Sequence, residues 1–146
     1  MYELKKKILF ICTHNSARSQ MAEGLMNYFM NDEFSAFSAG TKPTKVNPFA
    51  IKVMKEIGID ISNHRSKSVL EFKGEKFDYV VTVCDSAKEN CPFFPGAKEY
   101  LHKSFEDPSS FEGSEQEKLN KFREIRDEIK NFIFEKFKII KKENKC

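Results

Sequence analysis

The sequence predicts an α/β fold, a parallel sheet with helices on both faces. Three observations carry that prediction. Lys6–Ile11 (KKILFI) and Tyr79–Val83 (YVVTV) are continuous apolar or β-branched runs, as strands covered on both faces require. Apolar residues recur at helical spacing after the first run and again along the last thirty residues. The chain has 146 residues, 40% of them hydrophobic, which suits one domain, 1–146, with a real core.

The elements follow in order. After the Lys6–Ile11 strand, Met21, Ala22, Leu25, Met26 and Phe29 mark a first helix. Phe34–Gly40 alternates apolar and small residues and predicts a second strand, closed by glycine. Pro48 suits the first turn of a second helix, Ala50, Val53, Met54 and Ile57 its buried face, and Gly58 its end. A polar connector runs from Ile59 to Lys67, and Ser68–Lys73 predicts one or two helical turns. Tyr79–Val83 is the third strand, and a short fourth is expected near Glu99–His102. From about Ser114 to Lys142 one long helix is predicted. Phe122, Ile125, Ile129, Phe132, Ile133, Phe137 and Ile140 form its core stripe.

Composition excludes several classes of function. The 25 basic and 22 acidic residues leave a net charge of +3, and the lysines alternate with glutamates, so no nucleic-acid face is expected. Only five residues separate Lys7 from Thr13, too few for a signal-peptide core, and no run approaches membrane-spanning length. A cytoplasmic location without membrane association is expected. Four cysteines in such a setting point to catalysis or metal binding and not to a structural disulfide framework. Their spacing lacks the short knuckle of a zinc site, and His14, His64 and His102 are scattered, so no metal is predicted. Cys146 is read as a free thiol without a role, and the protein as a monomer.

Three constellations carry chemistry. In Cys12-Thr13-His14-Asn15-Ser16-Ala17-Arg18-Ser19, a cysteine at a strand's carboxyl end precedes an arginine that enters a helix. The loop amides from Thr13 to Arg18 can converge on an anion at the positive end of that helix, and the same field favours a thiolate nucleophile. Arg18 supplies a planar fork for two oxygens of a tetrahedral oxyanion, and Ser19 a hydrogen bond to Cys12. Asn15 tolerates the left-handed backbone of a tight cradle. Asp107-Pro108, in a loop after the fourth strand, offers an acid for a departing oxygen. Cys84 ends the third strand as Cys12 ends the first. If those strands are neighbours, about 4.8 Å apart, both sulfurs lie at the carboxyl edge, where open parallel sheets bind ligands. Cys91 follows seven residues later. Were 84–91 helical, their α-carbons would stand about 10 Å apart along the axis, against roughly 4.4–6.8 Å for a disulfide. A Cys84–Cys91 bond therefore requires that segment to unwind.

Taken together, these residues resemble the thioredoxin-coupled arsenate reductases built on the low-molecular-weight tyrosine phosphatase fold. Ser38-Ala39-Gly40, Asn47-Pro48, Asp60 to His64 and Arg126 to Ile129 extend the likeness over nearly the whole chain. The resemblance implies a three-layer sandwich around a four-stranded parallel sheet in the order 2-1-3-4. It implies that Cys12 attacks arsenate, Asp107 protonates the leaving hydroxide, and Cys84 attacks Cys12 to give a Cys12–Cys84 disulfide and arsenite. Cys91 would then form a Cys84–Cys91 disulfide for thioredoxin to reduce, with no cofactor beyond the thiols. Two departures stand out. His14 replaces a glycine of many relatives, a change expected to shift the loop slightly. Lys67 replaces an acidic member of a potassium-binding set to which Asn15, Glu23 and Ser38 would correspond, so no potassium dependence is expected. A phosphatase is the alternative, with residual phosphatase activity expected in either case. Against it as the main activity, Ser109-Ser110 follows Asp107-Pro108 where a phosphotyrosine cleft would be lined by aromatic residues. A redox or metalloid-sensing module would leave Asp107 and Arg18 unexplained.

Overall fold

The computed structural model describes residues 4–85 and 93–143, with side chains to 137. Four strands, β1 (Lys6–Cys12), β2 (Phe34–Gly40), β3 (Phe77–Thr82) and β4 (Ala97–His102), form one parallel sheet in the order β2-β1-β3-β4. That is the predicted order, and it makes β1 and β3 neighbours, with Ile11 opposite Thr82 and Cys12 opposite Gly40.

Side chains alternate along each strand, so the two faces of the sheet carry different cores. On one face Ile8, Phe10, Phe34, Ala36 and Val81 pack against α1 (Arg18–Phe29), α2 (Pro48–Lys55) and α3 (Glu115–Glu143). On the other, Leu9, Ile11 and Val80 lie under the 3₁₀ turn Val69–Phe72 and Phe94. Helices were expected on both faces; among the described residues the three α-helices take one face and the short 3₁₀ helix Val69–Phe72 the other. Aromatic bulk fills the thinner layer. Phe77 meets Phe37, Phe72 and Phe94 edge-on, with ring centroids 5.8–5.9 Å apart.

Local signals explain the helix boundaries. Asn47 accepts a hydrogen bond from Phe49 N and Pro48 opens α2, while Gly58, at φ +83°, turns the chain just after it. Ser114 and Glu117 cap α3 reciprocally, each side chain taking the other's backbone N–H. Phe122, Ile125, Ile129, Phe132, Ile133 and Phe137 are all buried, as the α3 stripe predicts; the side chain of Ile140 lies outside the described residues. No described helix is long and apolar enough to cross a membrane.

Candidate active site

The loop between β1 and α1 is shaped by where its carbonyls go. Thr13 O accepts from Lys42 N at 2.8 Å, and His14 O from Ser66 Oγ at 2.8 Å and Thr44 N at 3.3 Å. Asn15 O accepts from Gln20 Nε2 at 3.2 Å, Ser16 O from Asn47 N at 2.9 Å and Ala17 O from Met21 N at 2.8 Å. A planar trans peptide carries its C=O and the following N–H on opposite sides. Turning five successive carbonyls outward therefore aims the amides of residues 14 to 18 the other way, into the concave side of the loop. The turn needs Asn15 at φ +50°, the single non-glycine residue with positive φ among the described residues. Ala17, just before α1, supplies no side-chain cap, an arrangement that suits an anion at this helix end.

Close approach of β2 makes this packing possible. A Cβ on Gly40 would sit 2.5 Å from Thr13 O, 2.9 Å from Asn15 N and 3.0 Å from Cys12 O. The His14 ring lies on the exposed side, where its Nδ1–H donates to Lys42 O at 3.1 Å. Its side chain thus braces the outside of the loop and leaves the concave side to the backbone.

Cys12 is buried, has a free thiol, and lies 2.9 Å from Ser19 Oγ. Lys67 N and Gln20 Nε2 both donate to Asn15 Oδ1 at 2.9 Å, which turns Asn15 Nδ2 to donate to Ser19 Oγ at 2.8 Å. Ser19 accepts there, which leaves its own proton available to a Cys12 thiolate. Gln20 is oriented in turn by the Arg65 carbonyl, to which it donates at 2.9 Å, and its Oε1 accepts from His64 Nδ1 at 3.0 Å. Sequence reasoning missed Gln20 and left His64 as an ordinary loop residue. The available signal was Gln20, Glu23 and Asn27 recurring at helical spacing, a polar stripe that would be taken for a solvated face.

Arg18 is 3% exposed, donates through Nη1 to Phe105 O at 3.2 Å, and places Nη2 3.7 Å from Asp107 Oδ2. The structure thereby brings the Asp107 loop to the mouth of the Cys12 loop. Asp107 Oδ1 accepts from Ser109 N at 3.0 Å and Ser109 Oγ at 2.6 Å, capping the 3₁₀ turn Pro108–Ser110. Cys84 follows β3 by two residues and is buried and disulfide-bonded. Val83 N donates to Ile11 O at 2.9 Å, so the chain leaving β3 runs beside the end of β1. Cys91 and Cys146 lie outside the described residues.

Beside the loop, Glu23 Oε1 accepts from Ser38 Oγ at 2.6 Å and lies 3.7 Å from Lys67 Nζ. The same ammonium donates to Arg65 O at 3.0 Å. Burial pushes the Lys67 ammonium below the usual lysine range, opposed by the Glu23 carboxylate. A cation already faces the carboxylate, so these residues do not fit a bound potassium ion. Oxyanion turnover at this site is expected to be equal in potassium and sodium at matched ionic strength; a several-fold rise with potassium would contradict this.

The low molecular weight phosphotyrosine protein phosphatase family matches residues 7–146. The arsenate reductase of Halalkalibacterium halodurans is 49% identical over 125 residues, which cover 86% of this chain and 90% of that one. Among solved structures, an arsenate reductase in the phosphate-binding state superposes with a TM-score of 0.75 at 32% identity, covering 88% of this chain and 93% of that one. The thioredoxin-dependent arsenate reductase of Corynebacterium glutamicum superposes with a TM-score of 0.61 at 28% identity, covering 90% of this chain and 62% of that one. With a family match over nearly its whole length and close relatives of this kind, the chain belongs to the low molecular weight phosphotyrosine protein phosphatase family and groups with its arsenate reductases.

Proposed function

We propose that this protein reduces arsenate to arsenite through three thiols and is recycled by thioredoxin. The Cys12 thiolate attacks arsenic, held by the loop amides and Arg18, and a sulfur–arsenic bond forms. Asp107 gives its proton to the departing hydroxide, which leaves as water. Cys84 as thiolate then attacks the Cys12 sulfur. A disulfide forms, the sulfur–arsenic bond breaks, and its electron pair stays on arsenic, so As(V) becomes As(III) and arsenite departs. Cys91 attacks Cys84, freeing Cys12 as thiolate and leaving a Cys84–Cys91 disulfide, which thioredoxin reduces by exchange. Two electrons leave the thiols and two reach arsenic, so no metal or organic cofactor enters.

The observation that carries the reading is the placement of a second cysteine beside an oxyanion loop. Cys84 follows the strand paired with β1, is buried as Cys12 is, and is disulfide-bonded while Cys12 is free. A phosphatase needs the loop and the acid but has no use for that second sulfur. The arsenate reductases among the relatives, one of them thioredoxin-dependent, support the same reading. Phosphate is a tetrahedral oxyanion too, so weak phosphoester cleavage is expected from the same cradle.

Thioredoxin, thioredoxin reductase, NADPH and arsenate make the test, with a phosphoester assay alongside. Cys84→Ser and Cys91→Ser are each expected to lose multiple-turnover reduction to background while cleaving the phosphoester within about twofold of the parent, since neither sulfur is used there. Unchanged arsenate turnover in Cys91→Ser would overturn the relay.

A further inference from the structure

The acid loop is tied down from outside the site. Phe105 is buried against Phe132 of α3, with ring centroids 5.9 Å apart, and its carbonyl is held by Arg18. On the outer side one side chain of α3 reaches both ends of the loop. Lys121 Nζ lies 3.3 Å from Glu106 Oε2, 3.0 Å from Glu124 Oε2 and 5.3 Å from the centroid of the Phe111 ring. Glu106 immediately precedes Asp107, and Phe111 ends the 3₁₀ turn that Asp107 caps.

We propose that Lys121 is a positioning residue that fixes Asp107 over the Cys12 loop; the inference rests on the reading of Asp107 as the acid. An exposed ion pair by itself contributes little. Here the ammonium separates two carboxylates, Glu106 on the loop and Glu124 on α3. Those carboxylates, Glu124 foremost, raise the lysine's pKa above its usual value, which keeps it charged through the neutral range. Without it the carboxylates repel, the Phe111 ring loses its cation, and the part of the loop carrying Asp107 loses its outer tie to α3. The loop amides make no contact with Lys121, and Phe105, buried against Phe132, keeps its carbonyl on Arg18, so oxyanion binding should persist while proton delivery slows.

The readout is the first-turnover release of arsenite from the fully reduced protein across a range of arsenate concentrations. Lys121→Met is expected to lower the maximal rate about five- to tenfold with the half-saturating arsenate concentration within about twofold, the signature of a misplaced group acting after binding. Lys121→Arg should restore the rate, and Glu106→Gln, which removes the loop's end of the contact, should lower the rate without changing half-saturation. In an Asp107→Asn background, adding Lys121→Met should cost nothing further, because there is no acid left to misplace. A normal rate in Asp107→Asn would remove the acid reading and this inference with it. A slow Asp107→Asn beside a normal Lys121→Met would overturn the positioning role alone. So would a further several-fold loss in the double variant.

Discussion

Cys12→Ser is expected to abolish arsenate reduction and phosphoester cleavage together, by at least about 10⁴-fold, because a serine hydroxyl at this position stays un-ionised and has no base to activate it. The fold should survive. The replacement oxygen would occupy the buried site facing Ser19 Oγ, so a partner for the new hydroxyl is already in place. Arsenite release and phosphoester turnover measure the loss, and an unchanged thermal midpoint separates it from unfolding. Persistent activity in either assay would move the nucleophile to another residue and dismantle the reading of the loop.

Gly40→Ala comes next in size. The added Cβ would meet three backbone atoms of the Cys12 loop at 2.5–3.0 Å, and backbone held on both sides cannot swing aside as a side chain can. The loop must shift by several tenths of an ångström, with its outward carbonyl bonds to residues 42 to 47 pulled along. Displacement on that scale is expected to lower kcat/KM about a hundredfold, with about 1–3 kcal/mol of stability lost to overpacking. Gly74→Ala is the control. Its φ of +85° makes alanine strained there, but nothing lies within 4 Å of the new Cβ. A loss of about 1 kcal/mol with normal activity is expected. If Gly40→Ala also kept normal activity, the close approach of β2 would not be what shapes the cradle.

Much of this architecture was legible in the residues because the signals were local and periodic. β1 and the α3 stripe are read from apolar spacing alone, and Pro48 announces the start of α2 by suiting a helix's first turn. Cys12 and Arg18 stand in one short loop whose flanking elements declare themselves, so the cradle was visible before its geometry. The thinner cover over Leu9, Ile11 and Val80 was not, because which face a helix takes depends on packing between distant segments. Gln20 escaped for a related reason. A polar stripe on a helix normally faces water, and only the fold shows that this one faces a connector and β2, where Asn27 pairs with both backbone groups of Ala36. Lys121 looked like one surface lysine among many until the Asp107 loop was seen to pack beneath it.

The division has a physical basis. β1, α1 and the places of Cys12 and Arg18 between them are set by interactions within a few residues, and chain order alone specifies them. The pairing of β1 with β3, the backing of the loop by residues 42 to 47 and 66, the orienting of the Asn15 amide by Lys67 N and the meeting of Arg18 with Asp107 join groups up to 89 positions apart. Such contacts arise only when the hydrophobic cores on the two sheet faces bring those segments together, and that was decided by tertiary structure.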